Sequence, residues 1–192
     1  MTTRQEQAHR TKRKIFDIAI QLFAKHSFDK VTIKTICNEC QISIGGFYHH
    51  YKSKTDILDE GYRLFDLQVK EAFENHHSTS AIDSLYFLIE NQSESIESLG
   101  HKAYSQYLSH TVQINEKFIF NTNRFFPKKV HECVKQAVQN HQLCGDPQMI
   151  AEEILSTTRS IAYDWCLHDG SYSLQARSLK LTKMILWFYS QF

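Results

Sequence analysis

Between residues 37 and 54 the chain gathers the side chains best suited to chemistry. Cys37 and Cys40 form a CxxC pair. The stretch SIGGFYHHYKSK, residues 43–54, then places two glycines, five aromatic or imidazole rings and two lysines in twelve positions. Such a group could hold a metal, cradle a phosphate, or lie against a nucleic-acid backbone. A zinc site needs four well-spaced ligands, but no second CxxC follows and the histidines are adjacent. On a helix both thiols would point inward, where cysteine behaves as a small apolar residue. The pairs and singles elsewhere (His76, His77, His101, His110, His168) read as surface or linker histidines, since neighbours on a helix diverge by about 100°. No metal and no cofactor is therefore expected. The chain has no Gly-rich phosphate loop, no GxSxG and no HExxH, so no enzyme is expected either.

The elements that must position these residues read as helices throughout. Two prolines and six glycines in 192 residues leave little room for long loops. A first helix is predicted from Thr11 to about His26, with RTKRK at its entrance. Cations there oppose the helix dipole, which points to phosphates nearby. Thr32 is positioned to cap a short second helix and Ser43 a third, from Ile44 to about Tyr51. Ser53 and Asp56 resemble a capping box opening a fourth helix, from Lys54 to roughly His76. Three short helices and a long one, with the second and third nearly touching in sequence, form a helix-turn-helix arrangement. Further helices are expected over 81–97, 101–110, 115–141, 147–167 and 174–192. The fold class is all-α, about nine helices. A domain over 9–69 would carry the motif at 32–51, and a larger one would span 70–192.

Charge supports a polyanionic partner for the first part. Up to residue 56 there are 10 Lys+Arg against 5 Asp+Glu, and beyond it 12 against 16. Five irregularly spaced cysteines suggest a reducing cytoplasm. No apolar run approaches a membrane span, and the N-terminus lacks the apolar stretch of a secretion signal.

Residues 11–58 resemble the DNA-binding region of the tetracycline-repressor (TetR) family of transcriptional regulators. The resemblance rests on Ile15, Ala19, Leu22 and Phe23, then Thr32 and Ile36, then Ser43, Gly45, Tyr48 and His50. It ends on Lys54 and the DIL of Asp56 to Leu58. FYHHYKSKTDIL is similar to the family's LYYHFKSKEELL. The chain departs at Ser27 and Gln41, where glycine is usual, at Cys37, usually alanine, and at Ile44, where a polar or basic residue is frequent.

The residues and the resemblance together imply a cytoplasmic, homodimeric, ligand-responsive regulator, most simply a repressor. Phosphate contacts are expected from Thr32, Tyr48, His49, His50 and Lys54, with Arg10, Lys12 and Lys34 adding charge. Ser43, Gly45 and Gly46 would lie nearest the bases of a near-palindromic operator, with Ile44 beside them. The resemblance implies a small-molecule effector site in the middle domain, where Phe65, Tyr86, Tyr104, Tyr107 and Phe118 are candidate lining residues. It also implies a dimer through the last two helices, with Ile161, Trp165, Leu181, Ile185 and Phe188 in the interface. Two other readings stay open: a helical protein–protein adaptor that has lost specific DNA binding, and a small-molecule-binding or catalytic all-α protein.

Overall fold

The computed structural model describes residues 3–78, 80–113 and 118–191, without the side chains of residues 3, 112, 113 and 118. Among the described residues there are nine α-helices and no strand. They are α1 (Thr3–His26), α2 (Ile33–Cys40), α3 (Ile44–His50), α4 (Lys54–Glu74) and α5 (Ala81–Leu99). α6 (His101–Gln113), α7 (Phe125–Gln139), α8 (Pro147–Leu167) and α9 (Leu174–Tyr189) follow, with a 3-10 turn at Phe118–Phe120.

Two helix starts differ from the sequence reading. α1 begins at Thr3 rather than Thr11. Residues 4–10 hold Arg, Gln, Glu and Ala, all good helix formers, and no breaker stops them. The RTKRK cations therefore sit inside the helix, where Arg13 pairs with Asp17 one turn on at 3.0 Å, and the dipole argument for phosphates lapses. α7 begins at Phe125, not near 115, so Pro127 stands in its first turn. An N–H there has no partner within the helix, and proline costs nothing. Residues 114–117 lie outside the described residues.

The chain divides into two compact units, and the division is not linear. Met1–Leu64 clusters with Lys102–Ile119, and Phe65–His101 with Phe120–Phe192. In the first unit Ile15, Ala19, Phe23, Ile36, Phe47, Tyr51 and Ile57 are buried. The α1–α2 turn is fixed from several sides. Lys54 Nζ donates to the carbonyls of Phe28 and Val31 at 2.8 and 2.7 Å. Phe28 N donates to Gln106 Oε1 of α6 at 2.9 Å. The His110 ring lies 4.4 Å from that of Phe28, and its Nε2 is buried without a hydrogen-bond partner.

In the second unit α5, α7, α8 and α9 pack in a ring, with α5 also touching α8 across it. Leu85, Leu88, Ile89, Val130, Val134, Ile150 and Ile154 fill its centre. Helix ends are satisfied from neighbouring elements. Asp66 of α4 accepts from Phe126 N in the first turn of α7 at 3.2 Å and pairs with Arg124 at 2.7 Å. Glu97 of α5 accepts from Leu174 N and Gln175 N at the start of α9.

Two predictions follow from the first unit's packing. A Cβ at Gly61 would stand 2.1 Å from Tyr107 Oη and 2.9 Å from two ring carbons. Gly61→Ala should lower the unfolding free energy by roughly 1–3 kcal/mol despite alanine's better helix propensity. Chemical denaturation measures this, and in a Tyr107→Ala background the same glycine substitution should cost less. The second concerns pH. Burial lowers the His110 pKa below 6.5, Lys54 pushes the same way, and Asp59 and Asp29 oppose. The unfolded chain thus binds the proton more readily, so this contribution is complete above about pH 6.5 and fades as pH falls. Asp59, whose carboxyl burial pushes up, acts with the opposite slope in a lower window. Thermal unfolding between about pH 7.5 and about pH 5.5 should show a smaller drop for His110→Gln than for the wild type. His50, also lowered by burial, keeps its share of the slope in both.

Candidate nucleic-acid interface

α2 and α3 are built as short, capped rods joined by a tight corner. Thr32 Oγ1 accepts from Thr35 N at 3.1 Å, and Ser43 Oγ accepts from Gly46 N at 3.0 Å. Each satisfies an otherwise orphaned first-turn donor. Gln41 closes α2 in the left-handed region at φ 55°. Ser27, after α1, does the same at φ 67°. These are two of the positions where the chain departs from glycine, and both ask for glycine's conformational freedom. Lys14 of α1 donates to the Cys40 carbonyl at 3.0 Å, closing the end of α2 from outside. Cys37 and Cys40 are both buried, and burial raises both thiols.

The inner face of α3 anchors it. Phe47 is fully buried, and Tyr51, one turn on, buries its ring and donates to the Lys12 carbonyl at 3.1 Å. That fixes the opposite face. Ile44 and Tyr48, four residues apart, are 51% and 55% exposed. Gly45 and His49 are exposed beside them, and His50 is half-buried. Neither Gly45 nor Gly46 has a positive φ. A Cβ at Gly45 would meet only Ser43 Oγ at 3.9 Å, and one at Gly46 would meet Ser43 Oγ at 3.4 Å. The chain itself tolerates side chains there, so any demand for bareness comes from outside it.

Thr32, Lys34, Ser43, Ile44, Gly45, Tyr48 and His49 are exposed on α2, α3 and the corner between them, and Arg10 is exposed on α1. Thr35, exposed and bonded to the Thr32 hydroxyl at 2.9 Å, was not singled out from sequence. Its i+3 spacing from a helix cap was the available signal. Lys52, exposed between α3 and α4, was also passed over. Two expected contacts are engaged elsewhere. The Lys54 ammonium holds the Phe28 and Val31 carbonyls and lies 4.4 Å from the Phe28 ring centroid. Its pKa is lowered, chiefly by burial. Lys12 pairs with Glu60 at 2.7 Å. Spacing placed both lysines near the motif but could not show carbonyls converging on one of them.

The candidate effector residues fall in both units. Phe65 and Tyr86 lie against the core of the second unit. Tyr104 and Tyr107 are buried within the first, Tyr107 against Gly61. The side chain of Phe118 lies outside the described residues. The histidines considered for a metal have separate neighbours: His76 stacks on Phe87, His110 lies tilted against Phe28, and His101 meets Trp165 edge-on. Among the described residues no group of three His, Cys, Asp or Glu is placed to hold a metal ion.

The proposed dimer residues need correction. Ile161 and Trp165 share the inward stripe of α8 with Ile154 and Thr158 and are buried in the chain's own core. On α9 the inward stripe includes Ser178 and Thr182, both buried. The exposed stripe carries Met184, Trp187 at 65% and Phe188, with Leu181 and Ile185 half-buried at its margin. The expectation thus meets a buried stripe for the two α8 residues, while Phe188, and Leu181 and Ile185 at the margin, lie toward the outward side of α9. A groove of about 600 Å³ on the exposed side is lined by Ala176, Leu179, Lys180, Lys183, Met184 and Trp187. No described helix is long and apolar enough to cross a membrane.

Comparison with known proteins agrees with this geometry. Residues 15–60 match the family described as bacterial regulatory proteins, tetR family. The HTH-type transcriptional regulator UidR of Escherichia coli strain K12 is 32% identical over 106 residues, 55% of this chain and 51% of UidR. The matched region thus spans about half the length of that relative. The HTH-type transcriptional repressor KstR2 of Rhodococcus jostii is 26% identical over 183 residues, covering 90% of this chain and 87% of KstR2. Among solved structures, the transcriptional regulator FadR of Bacillus subtilis in complex with stearoyl-CoA superposes with a TM-score of 0.68 at 17% identity. That likeness covers 93% of this chain and 97% of FadR, and it concerns the fold. With the capped α2–α3 corner, the outward face of α3 and the family match over the same residues, residues 15–60 form a DNA-binding region of the tetR family of bacterial regulatory proteins.

Proposed function

We propose that the protein is a homodimeric, sequence-specific DNA-binding regulator of transcription, acting in the cytoplasm as a repressor that a small hydrophobic ligand releases. The observation carrying this reading is the outward face of α3. It is held rigidly from behind by Phe47 and Tyr51, yet offers Ile44, Gly45, Tyr48 and His49 to solvent. Ser43, Gly45 and Gly46 let a major-groove floor come close. Thr32, Lys34, Tyr48, His49 and Arg10 flank it as phosphate contacts, which set register and salt dependence. Lys54 and Lys12 support that surface from within, through the carbonyls and the carboxylate they hold.

KstR2's name as a repressor supports repression here, and the FadR complex supports an effector with a long apolar part. Ligand binding in the second unit would act through α4, one continuous helix that begins at Lys54 and ends at Glu74. A change in its course would alter the separation of two recognition helices.

Selection of bound duplexes from a random pool at near-physiological salt tests the DNA reading. The expected product is a near-palindrome whose half-sites are about one helical turn apart or slightly more. Sequence-blind binding that vanishes with modest salt would favour the adaptor reading instead.

The dimer would form through the exposed side of α9. Met184, Trp187 and Phe188 supply apolar area there, and removing such a patch from water is the main drive for stable association. Trp187→Glu should leave the fold intact, because the side chain is exposed. It should convert dimer to monomer in sedimentation velocity at micromolar concentration, and lower operator affinity by about tenfold or more. A Trp187→Glu chain that remains dimeric would place the interface elsewhere.

A further inference from the structure

Resting on the DNA-binding reading, we propose that Ile44 is a specificity-determining residue: it reads a thymine in each operator half-site by contact with the C5-methyl group. The inference comes from what α3 offers and what it lacks. Its outward face begins with Ile44, a branched apolar side chain left 51% exposed on a helix whose buried anchors are Phe47 and the following Tyr51. The two residues after it carry no side chain. Neither glycine is required by the backbone, since neither has a positive φ. Neither is required by internal packing, since the nearest atoms to an added Cβ lie at 3.4 Å or beyond. Two glycines in a seven-residue helix weaken it. What they achieve is to leave Ile44 standing alone at the leading end of the face.

The side chains that make paired hydrogen bonds to bases are absent from residues 43–50, which include no Arg, Lys, Asn or Gln. Guanine and adenine are read chiefly by those four. The Ser43 hydroxyl oxygen already accepts from Gly46 N, and the Phe47 ring is buried. Tyr48, His49 and His50 lie on the second turn, farther along the helix. The first turn therefore enters the groove with an apolar branched group and bare backbone. The major groove presents one apolar feature on its base edges, the thymine methyl. Contact between the two removes both from water, a gain that hydrogen-bonding groups on other bases cannot match.

The test replaces each thymine of the selected operator, one position at a time, with deoxyuridine. This removes the methyl and keeps base pairing. Wild-type protein should lose about fourfold in affinity at one symmetric position per half-site, the ratio expected for one methyl-sized group taken from water. Ile44→Ala should bind the thymine and uracil operators equally at that position, while keeping the wild type's response at every other. Its exposed location makes the substitution compatible with folding, which the unchanged melting temperature would register. If the operator is selected and bound but no position separates wild type from Ile44→Ala, the inference is overturned while the regulator reading stands. An equal loss for Ile44→Ala on both operators, with wild type blind to the methyl, also overturns it and assigns Ile44 to the sugar–phosphate backbone. If no operator is selected at all, both fall together.

Discussion

The α1–α2 turn sets two backbone carbonyls, those of Phe28 and Val31, toward one point, and the Lys54 ammonium meets both. Much of the first unit depends on that meeting. Val31 precedes the residue that caps α2, and Lys54 is the first residue of α4, so one cation fixes the entry of one helix to the start of another. A partly buried ammonium is tolerated only where such acceptors replace its water, and unpaired carbonyls would cost about 1–3 kcal/mol each. Gln106 and His110 reach the same turn from a distant part of the sequence. The corner that aims α3 thus hangs from a small polar knot rather than from apolar packing alone.

Around that knot the recognition surface is spare. Capping hydroxyls at Thr32 and Ser43 are already used to finish helices, and Lys54 and Lys12 are tied inward. The outward face of α3 itself consists of rings, an isoleucine and bare backbone, while the exposed cations Lys34 and Lys52 lie outside that helix. Such a face depends on shape and close approach more than on charge. In the second unit two helix starts take a carboxylate from a distant part of the chain, Asp66 for α7 and Glu97 for α9.

Local signals in the sequence were strong where the physics is local. Thr32, Ser43, Ser53 and Ser173 cap as their types suggest, and Pro147 opens α8 in the first turn, where its missing donor does no harm. The third helix and its exposed residues could be read for the same reason. What failed were questions of partner and face. Lys54 looked like an anion ligand because its carbonyl partners lie 26 and 23 residues away. The inward stripes of α8 and α9 mix apolar residues with Thr158, Ser178 and Thr182, so hydrophobicity alone did not separate the buried Ile161 and Trp165 from the exposed Phe188. The early start of α1 was hidden by the assumption that cations mark an entrance.

The first unit borrows residues 102–119 from the middle of the chain, and this bears on how such proteins can be recombined. A fragment ending at Leu64 would leave Phe28 N without Gln106 and Gly61 facing an empty space where Tyr107 belongs. Grafting this DNA reader onto a foreign sensor would need two splice segments rather than one. The second would have to carry Gln106, Tyr107 and His110 as a set. A single crossover placed between residues 64 and 102 would split the first unit from the residues that complete it.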